Sequence, residues 1–521
     1  MLIPAPPILR RIFSSSPLLA PLLLILVIAT LILSASPTAR KHTLPSSWRG
    51  VASPPAADED LTPLPPLYAA SLPSLQLPVA LVRYPALASR LHDFLLRPLE
   101  SAPVAAKTNH ESCPLPIADL IVNQDQLEGN RDFWGNLTTG DIAEHRAALV
   151  NWLAAQAEAG AEIVGTPQTG SGRGIVITAG NQDTTRRAII LLKQLKHVGN
   201  FLPVEVFHYP DELTDAGERA EITSLGGKIV QVTGVTKSEG AWKNWQIKGL
   251  AMIQSSFAQL ISLDSDNLPL RSLGHLFDAE VVQDTGAAFW PDLSKDHADN
   301  AIWRIVGEAC TLDQWTFESG QIVVDKRGND GLNLAALWLA AGMMDDRDWW
   351  FRMCGGDKDT YRWAWRVLDI PYATSPRWMS ALGFLNPHEG GRFCGHTMLQ
   401  YDLVTPKGFT EPPPLFVHSN LLKHLGGSTR ERGNVFTHIK RMAADTIDDP
   451  SLNYAHMHVY TGAGQGMCLD LDMHDTAKQA LSEDQLNSQV PLTLEVGELD
   501  GQPFKGFEDA FFDAGGFVGG W

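Results

Sequence analysis

The stretch Gln259-Leu260-Ile261-Ser262-Leu263-Asp264-Ser265-Asp266-Asn267 constrains this chain most. A mostly apolar run without clean polar alternation reads as a strand covered on both faces. It ends in two carboxylates with one residue between them, and residues i and i+2 of a strand point to the same side. Ligands of open α/β sheets collect at the carboxyl ends of such strands. Two hard oxygen donors there suit Mg²⁺ or Mn²⁺, and such a cation suits a diphosphate. A bare Asp-x-Asp is also what an ordinary acidic turn looks like, so its neighbours must decide.

Those neighbours alternate strand and helix. Ile175–Thr178 reads as a short buried strand followed by the turn Ala179–Asp183. A helix over about Thr184–Val198 follows, with Ile189, Leu192, Leu195 and Val198 on one face and Gly199 at its end. Pro203–Tyr209 and Lys228–Val232 read as strands, and Trp245–Phe257 as the helix leading into the Leu260 strand. Gly286–Trp290 and Gln321–Val324 add two strand candidates, and Gly331–Met344 is an apolar helix fit for burial. The pattern predicts an α/β fold with a largely parallel, mixed sheet flanked by helices. Upstream, helical patterns run over Ala86–Leu99 and Asp141–Gly160. No internal repeat is visible.

The amino terminus adds a compartment. Arg10 and Arg11 precede Pro17–Ser36, about twenty apolar or small residues, the length of one membrane span. A cleaved signal peptide has a shorter apolar core, so the length favours an uncleaved anchor, although Ser34-Ala35-Ser36 resembles a cleavage site. Basic residues flank both sides, so charge does not fix orientation. The short head and long tail suggest a single-pass protein with its carboxyl part in the lumen. Asn136-Leu137-Thr138 is a glycosylation sequon. From Pro37 to about Pro78 the chain is rich in Pro, Ser and Ala and reads as a stem. A net charge of −18 over 521 residues argues against nucleic acid. Five cysteines, Cys113, Cys310, Cys354, Cys394 and Cys468, lack metal-type spacing. The odd count leaves at least one unpaired, and one or two disulfides suit an oxidising lumen, with connectivity unreadable.

Several polar groupings could join the acid pair. Thr178, Gly180 and Asn181, where a strand turns into a helix, bring backbone N–H groups to a ligand without forming a P-loop. Lys248, on the helix before Asp264, could meet a phosphate as a point charge. Glu318-Ser319-Gly320-Gln321 reads either as a group that binds sugar hydroxyls or as a hairpin turn. Gly355-Gly356-Asp357-Lys358-Asp359-Thr360 offers two acids beside a glycine turn, with Asp359-Thr360 also placed to cap the next helix. His418, at the end of Phe416-Val417-His418, could complete a metal shell, with Lys423 toward a diphosphate. His396 competes for that role, and His456-Met457-His458 reads as an ordinary strand.

In order along the chain, these motifs resemble the fungal Golgi α-mannosyltransferases of glycosyltransferase family 71. The resemblance rests on Gly174-Ile-Val-Ile-Thr-Ala-Gly180, Leu263-Asp-Ser-Asp-Asn-Leu-Pro269, Gly286-Ala-Ala-Phe-Trp-Pro-Asp292, Glu318-Ser-Gly-Gln321, Gly356-Asp-Lys-Asp-Thr360 and Phe416-Val-His-Ser-Asn-Leu-Leu-Lys-His424. It covers roughly Gly174 to Lys423. Ser265 stands where the family usually has Ala, and the segment from Thr446 to Trp521 matches nothing in it.

The resemblance implies a GT-A-like fold and retaining, metal-dependent α-mannosyl transfer, by an α-1,2 or α-1,3 linkage, from GDP-mannose to mannose-terminated glycans of glycoproteins. Asp264, Asp266 and His418 then hold Mn²⁺ or another divalent cation. Thr178, Gly180, Asn181, Lys248 and Lys423 bind the donor, and Ser319, Gly320 and Gln321 the sugar. Asp357 and Asp359 are the candidate catalytic acids, positioning hydroxyls, and neither is assigned as a nucleophile. The implied layout is a cytoplasmic tail (1–16), a transmembrane signal-anchor (17–36), a stem (37–80) and a helical entry region (81–172). A catalytic domain (173–445) and a C-terminal extension (446–521) follow. The implied place is the Golgi membrane, type II and luminal, with a Golgi glycosyltransferase complex as a partner. Two rivals come from other classes. A haloacid-dehalogenase-type phosphatase also places Asp-x-Asp after an apolar strand, but it expects Thr or Val where Leu268 stands. The other is an inactive glycan-binding scaffold.

Overall fold

A computed structural model of the chain describes residues 77–519, apart from 115–123, 236, 239–243, 313–314, 427–430, 443–454, 474–481, 485–490, 497–503 and 505. The expected membrane segment 17–36, nearly all of the expected stem and Trp521 lie outside the described residues. Among the described residues, no helix is long and apolar enough to cross a membrane.

The expected entry region is helical. Helix α1 (Pro85–Leu96) begins on a proline, where a missing N–H costs nothing. Helix α2 (Thr139–Glu158) opens with a capping box between Thr138 and Asp141. Arg146 of α2 is fully buried. Its guanidinium donates to the carbonyls of Phe94, Arg97, Pro98, Arg304 and Ile305, clamping both helices to the main body. Burial, with Arg97 adding to it, pushes the Arg146 pKa down to about 9. The Cys113–Cys310 disulfide ties the same region across 197 residues.

The main body follows the alternation read above: β1 (Arg173–Thr178), α3 (Gln182–His197), β2 (Val204–His208), β3 (Gly227–Gln231), α4 (Ile247–Gln254) and β4 (Gln259–Leu263). After the short strand β5 (Asn267–Pro269) come β6 (Ala287–Pro291), β7 (Phe317–Asp325), α5 (Leu332–Asp345), α6 (Lys358–Leu368) and β8 (Ala373–Thr374). Seven of these strands form a sheet in the order β3-β2-β1-β4-β7-β6-β8. β1 runs parallel to β2 and β4, β2 to β3, and β6 to β8; only β7 is antiparallel to its neighbours β4 and β6. The sheet is therefore mixed and largely parallel, with flanking helices. Every residue of α5 from Leu332 to Met344 is buried, which explains why its sequence is apolar all round. Glu318–Gln321 is no hairpin turn. It lies inside β7, with Glu318 opposite Trp290 of β6 and Gln321 opposite Leu263 of β4.

A second sheet was not foreseen. β9 (Ser380–Asn386), β10 (Arg392–Tyr401), β11 (Pro414–His418), β12 (His438–Arg441), β13 (Ala455–Gly462), β14 (Gly466–Met473) and β15 (Leu492–Glu495) join β5 in eight antiparallel strands. β13 contains His456-Met457-His458, as read. β13, β14 and β15 all lie beyond residue 446, yet they share this sheet with β9, β10 and β12. Cys394 of β10 is bonded to Cys468 of β14, and Cys354 is left free and buried.

The two sheets meet where β4 leaves the first and β5 enters the second. β5 pairs with β11 so that Asn267 lies opposite His418. That ladder carries a histidine from far along the chain to the end of β4.

Candidate active site

The site grows from the end of β4. Asp264 N donates to Gly320 O at 2.9 Å, and Asn267 N donates to Asp264 O at 3.0 Å, which closes a tight turn. The fully buried Asn267 amide locks the turn by donating to Gly320 O at 2.7 Å and to Gln321 Oε1. Both aspartate side chains then face His418. Its Nε2 lies 3.3 Å from Asp266 Oδ1 and 4.0 Å from Asp264 Oδ2. One donor atom from each of the three residues falls within 4.8 Å of the others.

The other face of the imidazole is also fixed. His418 Nδ1 lies 2.9 Å from Glu318 Oε1, which accepts from Gly320 N at 2.7 Å. A carboxylate behind a ring orients a ligating histidine and sets which nitrogen carries the proton. Two carboxylate oxygens and an imidazole so oriented fit a divalent cation such as Mn²⁺. Burial alone would drive the His418 pKa down, but Glu318 and Asp266 outweigh it and hold it well above the ordinary imidazole range. Burial would likewise raise Asp266, yet Lys423 and His418 keep it well below the carboxylate range. Asp264 goes up because burial exceeds the pull of Lys248. The two acids are thus held in opposite directions.

Glycine is required behind this histidine. A Cβ on Gly320 would sit 2.6 Å from His418 Nδ1 and 2.8 Å from Glu318 Oε1. Gly320→Ala is expected to displace both and weaken metal binding about 10–100-fold, as read by Mn²⁺ titration of the purified protein. Unchanged affinity would show that the ring is not held this way.

Lys248, in the first turn of α4, is a buried hub. Its ammonium lies 2.8 Å from Asp264 Oδ1 and 3.0 Å from Asp357 Oδ2, and it donates to Ser319 Oγ at 3.1 Å. Ser319 Oγ donates in turn to Asp357 at 3.1 Å. Asp357 stands at the cap of α6 without making a side-chain cap bond; its carboxylate is committed to Lys248 and Ser319 instead. Thr360, placed by sequence to cap, donates from its hydroxyl to Asp357 O at 2.6 Å. Asp359 is fully buried. It accepts from Phe317 N at 2.9 Å and pairs with Lys358 and Arg362.

A cleft of about 390 Å³ opens over these groups. Thr178, Gly180, Asn181, Lys248, Asp264, Asp266, His418 and Lys423 all line it. Lys423 reaches Asp266 at 3.4 Å. Asn181 also caps α3, accepting from Thr184 N at 3.0 Å. Ser319 and Gly320 stand behind Lys248 and His418. Gln321 is fully buried against Asn267, and neither it nor Asp359 is in the cleft lining. His396 is a core residue whose Nε2 meets Val435 O at 2.8 Å. Burial pushes its pKa down to about 4. The sequence reading missed Glu318 as the partner of His418, although the residue heads a motif it quotes. It also missed Arg187, Tyr209, Glu212 and Trp245, which line the cleft and carry no local signal.

Residues 172–315 match a family model described as "Mannosyltransferase putative". The chain is 25% identical over 298 residues to alpha-1,2-mannosyltransferase MNN2 of Saccharomyces cerevisiae, covering 48% of each protein. It is 24% identical over 287 residues to alpha-1,2-mannosyltransferase MNN22 of Candida albicans, covering 43% of this chain and 46% of the relative. The chain thus spans about half the length of the curated relatives it matches. A solved core-mannan synthase A of Aspergillus fumigatus, in an Mn/GDP form, is 10% identical, covers 39% of this chain and 72% of that one, and has a TM-score of 0.25. That likeness is too slight to bear on function.

Proposed function

We propose that this chain, a relative of fungal α-mannosyltransferases, is a retaining α-mannosyltransferase of GT-A-like fold. In this reading it moves mannose from GDP-mannose to mannose-terminated glycans of glycoproteins with the help of a divalent cation. The observation that carries the proposal is the convergence of Asp264, Asp266 and His418, with one donor atom each inside 4.8 Å, at the floor of a cleft. Neither rival reading draws such support, since the relatives matched are transferases and the acids face open space.

In this reading Asp264, Asp266 and His418 would hold Mn²⁺, and the cation would supply positive charge against that which develops on the diphosphate. Lys423, whose side chain is 17% exposed and faces Asp266, adds a positive charge at the cleft. Lys248 acts from beneath: by pairing with Asp264 and Asp357 it fixes which oxygen Asp264 turns toward the cleft. Thr178, Gly180 and Asn181 form the wall along the nucleotide. Ser319 and Gly320 support the floor under the sugar from behind Lys248 and His418, and Gln321 does so only by holding Asn267. Asp357 acts through Lys248, whereas Asp359 is committed to Phe317 N, Lys358 and Arg362 and serves the fold. As the sugar–phosphate bond breaks, the sugar becomes oxocarbenium-like, as in glycoside hydrolysis. The acceptor hydroxyl oxygen bonds to the same carbon on the same face and its proton passes to the departing phosphate, so no strong protein base is needed.

Two disulfides suit an oxidising compartment and support a luminal catalytic domain. Residues 17–36 then serve as a type II Golgi anchor and 37–80 as its stem, in a membrane where a glycosyltransferase complex can form. The test is a panel of nucleotide sugars and oligomannose acceptors with the purified luminal part. Transfer from GDP-mannose, lost in EDTA and restored by Mn²⁺, is expected. A rate indifferent to EDTA, or release of free phosphate without transfer, would sink the reading.

A further inference from the structure

The cleft is longer than a metal and two phosphates need. It starts at the end of β4, crosses the end of β1 at Thr178–Asn181, and finishes beyond the end of β2 at Tyr209 and Glu212. β4, β1 and β2 are consecutive parallel strands. At about 4.8 Å per strand, the far end lies roughly 10 Å from the acid pair. That is the reach from the phosphates of a nucleotide to its base.

The far end is built around one carboxylate. Glu212 packs so closely on Gly180 that a Cβ there would fall 2.1 Å from Glu212 Oε2. The turn carrying it is fixed from both sides: Glu212 N donates to Tyr209 O at 3.1 Å, and Leu213 N donates to Gly180 O at 3.0 Å. Leu213 is buried and has φ of 52°, a left-handed conformation that a leucine adopts only when its surroundings impose it. Lys237 pairs with Glu212 Oε1 at 2.8 Å. An ionised carboxylate offers about four lone-pair sites, so Glu212, which lines the cleft, keeps acceptor capacity beyond its pairing with Lys237. Tyr209 and Trp245 supply aromatic surface beside it.

Resting on the nucleotide-sugar reading above, we infer that Glu212 is the residue that selects the donor's base, and that the base it selects is guanine. Guanine presents two adjacent N–H donors, at N1 and at the 2-amino group, which match the two oxygens of a carboxylate. Uracil sets one N–H between two carbonyls, and adenine presents a bare ring nitrogen, so each sets an acceptor against one oxygen of Glu212. A site built to accept from a ligand N–H discriminates strongly against ligands that lack it.

The experiment measures affinities of GDP, IDP and UDP, each with Mn²⁺, for the purified chain and for Glu212→Gln. IDP lacks only the 2-amino group. The chain should bind GDP about tenfold or more above IDP and UDP. Glu212→Gln should bring GDP and IDP within about twofold of each other, while its retained IDP binding shows that it is folded. If that variant does not fold, Glu212→Asp, which shortens the reach, should also narrow the GDP-to-IDP ratio. A loss equal for all three nucleotides would assign Glu212 to the ribose or to the wall. Undiminished GDP preference in the variants would remove it from recognition. Either result overturns this inference and leaves the transferase reading standing. A chain that binds no nucleoside diphosphate, or prefers UDP, sinks both.

Discussion

Asp266→Asn is expected to cut mannosyl transfer about a thousandfold or more while leaving the fold intact. The side chain is 12% exposed and touches two cationic groups that line the cleft, His418 and Lys423. An amide keeps the shape and loses the charge, so the cation site loses a hard oxygen donor. Asp264→Asn should behave alike, except that Lys248 retains Asp357 as a partner. Stability without metal should fall modestly as well. Lys423 and His418 hold Asp266 well below its ordinary pKa, so its charge stabilises the folded state above the unfolded carboxylate value, and Asn forfeits that. Relief of the repulsion on Asp264 offsets only part of the loss, so melting without metal should come somewhat earlier at neutral pH. A ligand that binds only the folded state at a hundred times its Kd adds about 2.7 kcal/mol. The intact chain should show that gain with Mn²⁺, and the variant should show little or none. Full activity in either variant, or an Mn²⁺-induced rise in Tm that survives both, would remove the pair from the metal.

How much of this was open to a reader of the sequence depends on how local each signal was. The end of β4 was legible because an apolar strand breaking into Asp-x-Asp is a contiguous pattern. The β1 turn and α3 were legible for the same reason, since their periodicity switches within a few residues. Of two histidine candidates, His396 and His418, only the resemblance chose His418. What brings it to Asp266 is the β5–β11 ladder, and a pairing between segments so far apart leaves no trace in either one. The antiparallel sheet was missed on related ground: β9–β10 and β13–β14 are local hairpins, but the pairings that assemble them into one sheet join distant segments, and the strands lack the strand–helix alternation that identified the first sheet. Glu318–Gln321 read as turn-like because polar residues with a glycine usually are. Inside β7 those residues are buried by neighbouring strands on both sides, and Glu318 stands behind a histidine. Asp359 and Gln321 show the reverse. Their polarity drew attention to chemistry, while the structure uses it to satisfy Phe317 N and the Asn267 amide.

Lys248→Met should be the most damaging single change to stability near the site. The ammonium is the buried counter-charge for two carboxylates, and its side chain is only 6% exposed. Removing one partner of a buried ion pair costs about 3–5 kcal/mol, because the other charges stay behind uncompensated. The pH dependence has a definite sign. In the intact chain Asp264 already sits above its ordinary pKa because burial exceeds the pull of Lys248. Without Lys248 the shift grows, so the folded state holds the Asp264 proton more tightly than the unfolded chain does. Stability then falls as pH rises above the unfolded carboxylate value. In the intact chain burial acts on Lys248 as well, but Asp264 and Asp357 outweigh it and hold the ammonium well above its ordinary pKa, so the pair is not lost from the lysine side near neutrality. The deficit of Lys248→Met should thus be smallest near pH 4 and largest at neutral pH, as measured by urea unfolding at a series of pH values. Mn²⁺ should recover part of the loss at neutral pH, since a cation held by Asp264 replaces some of the missing charge. A deficit that is flat with pH would mean that the lysine contributes packing rather than charge. One that Mn²⁺ leaves untouched would separate Asp264 from the cation site.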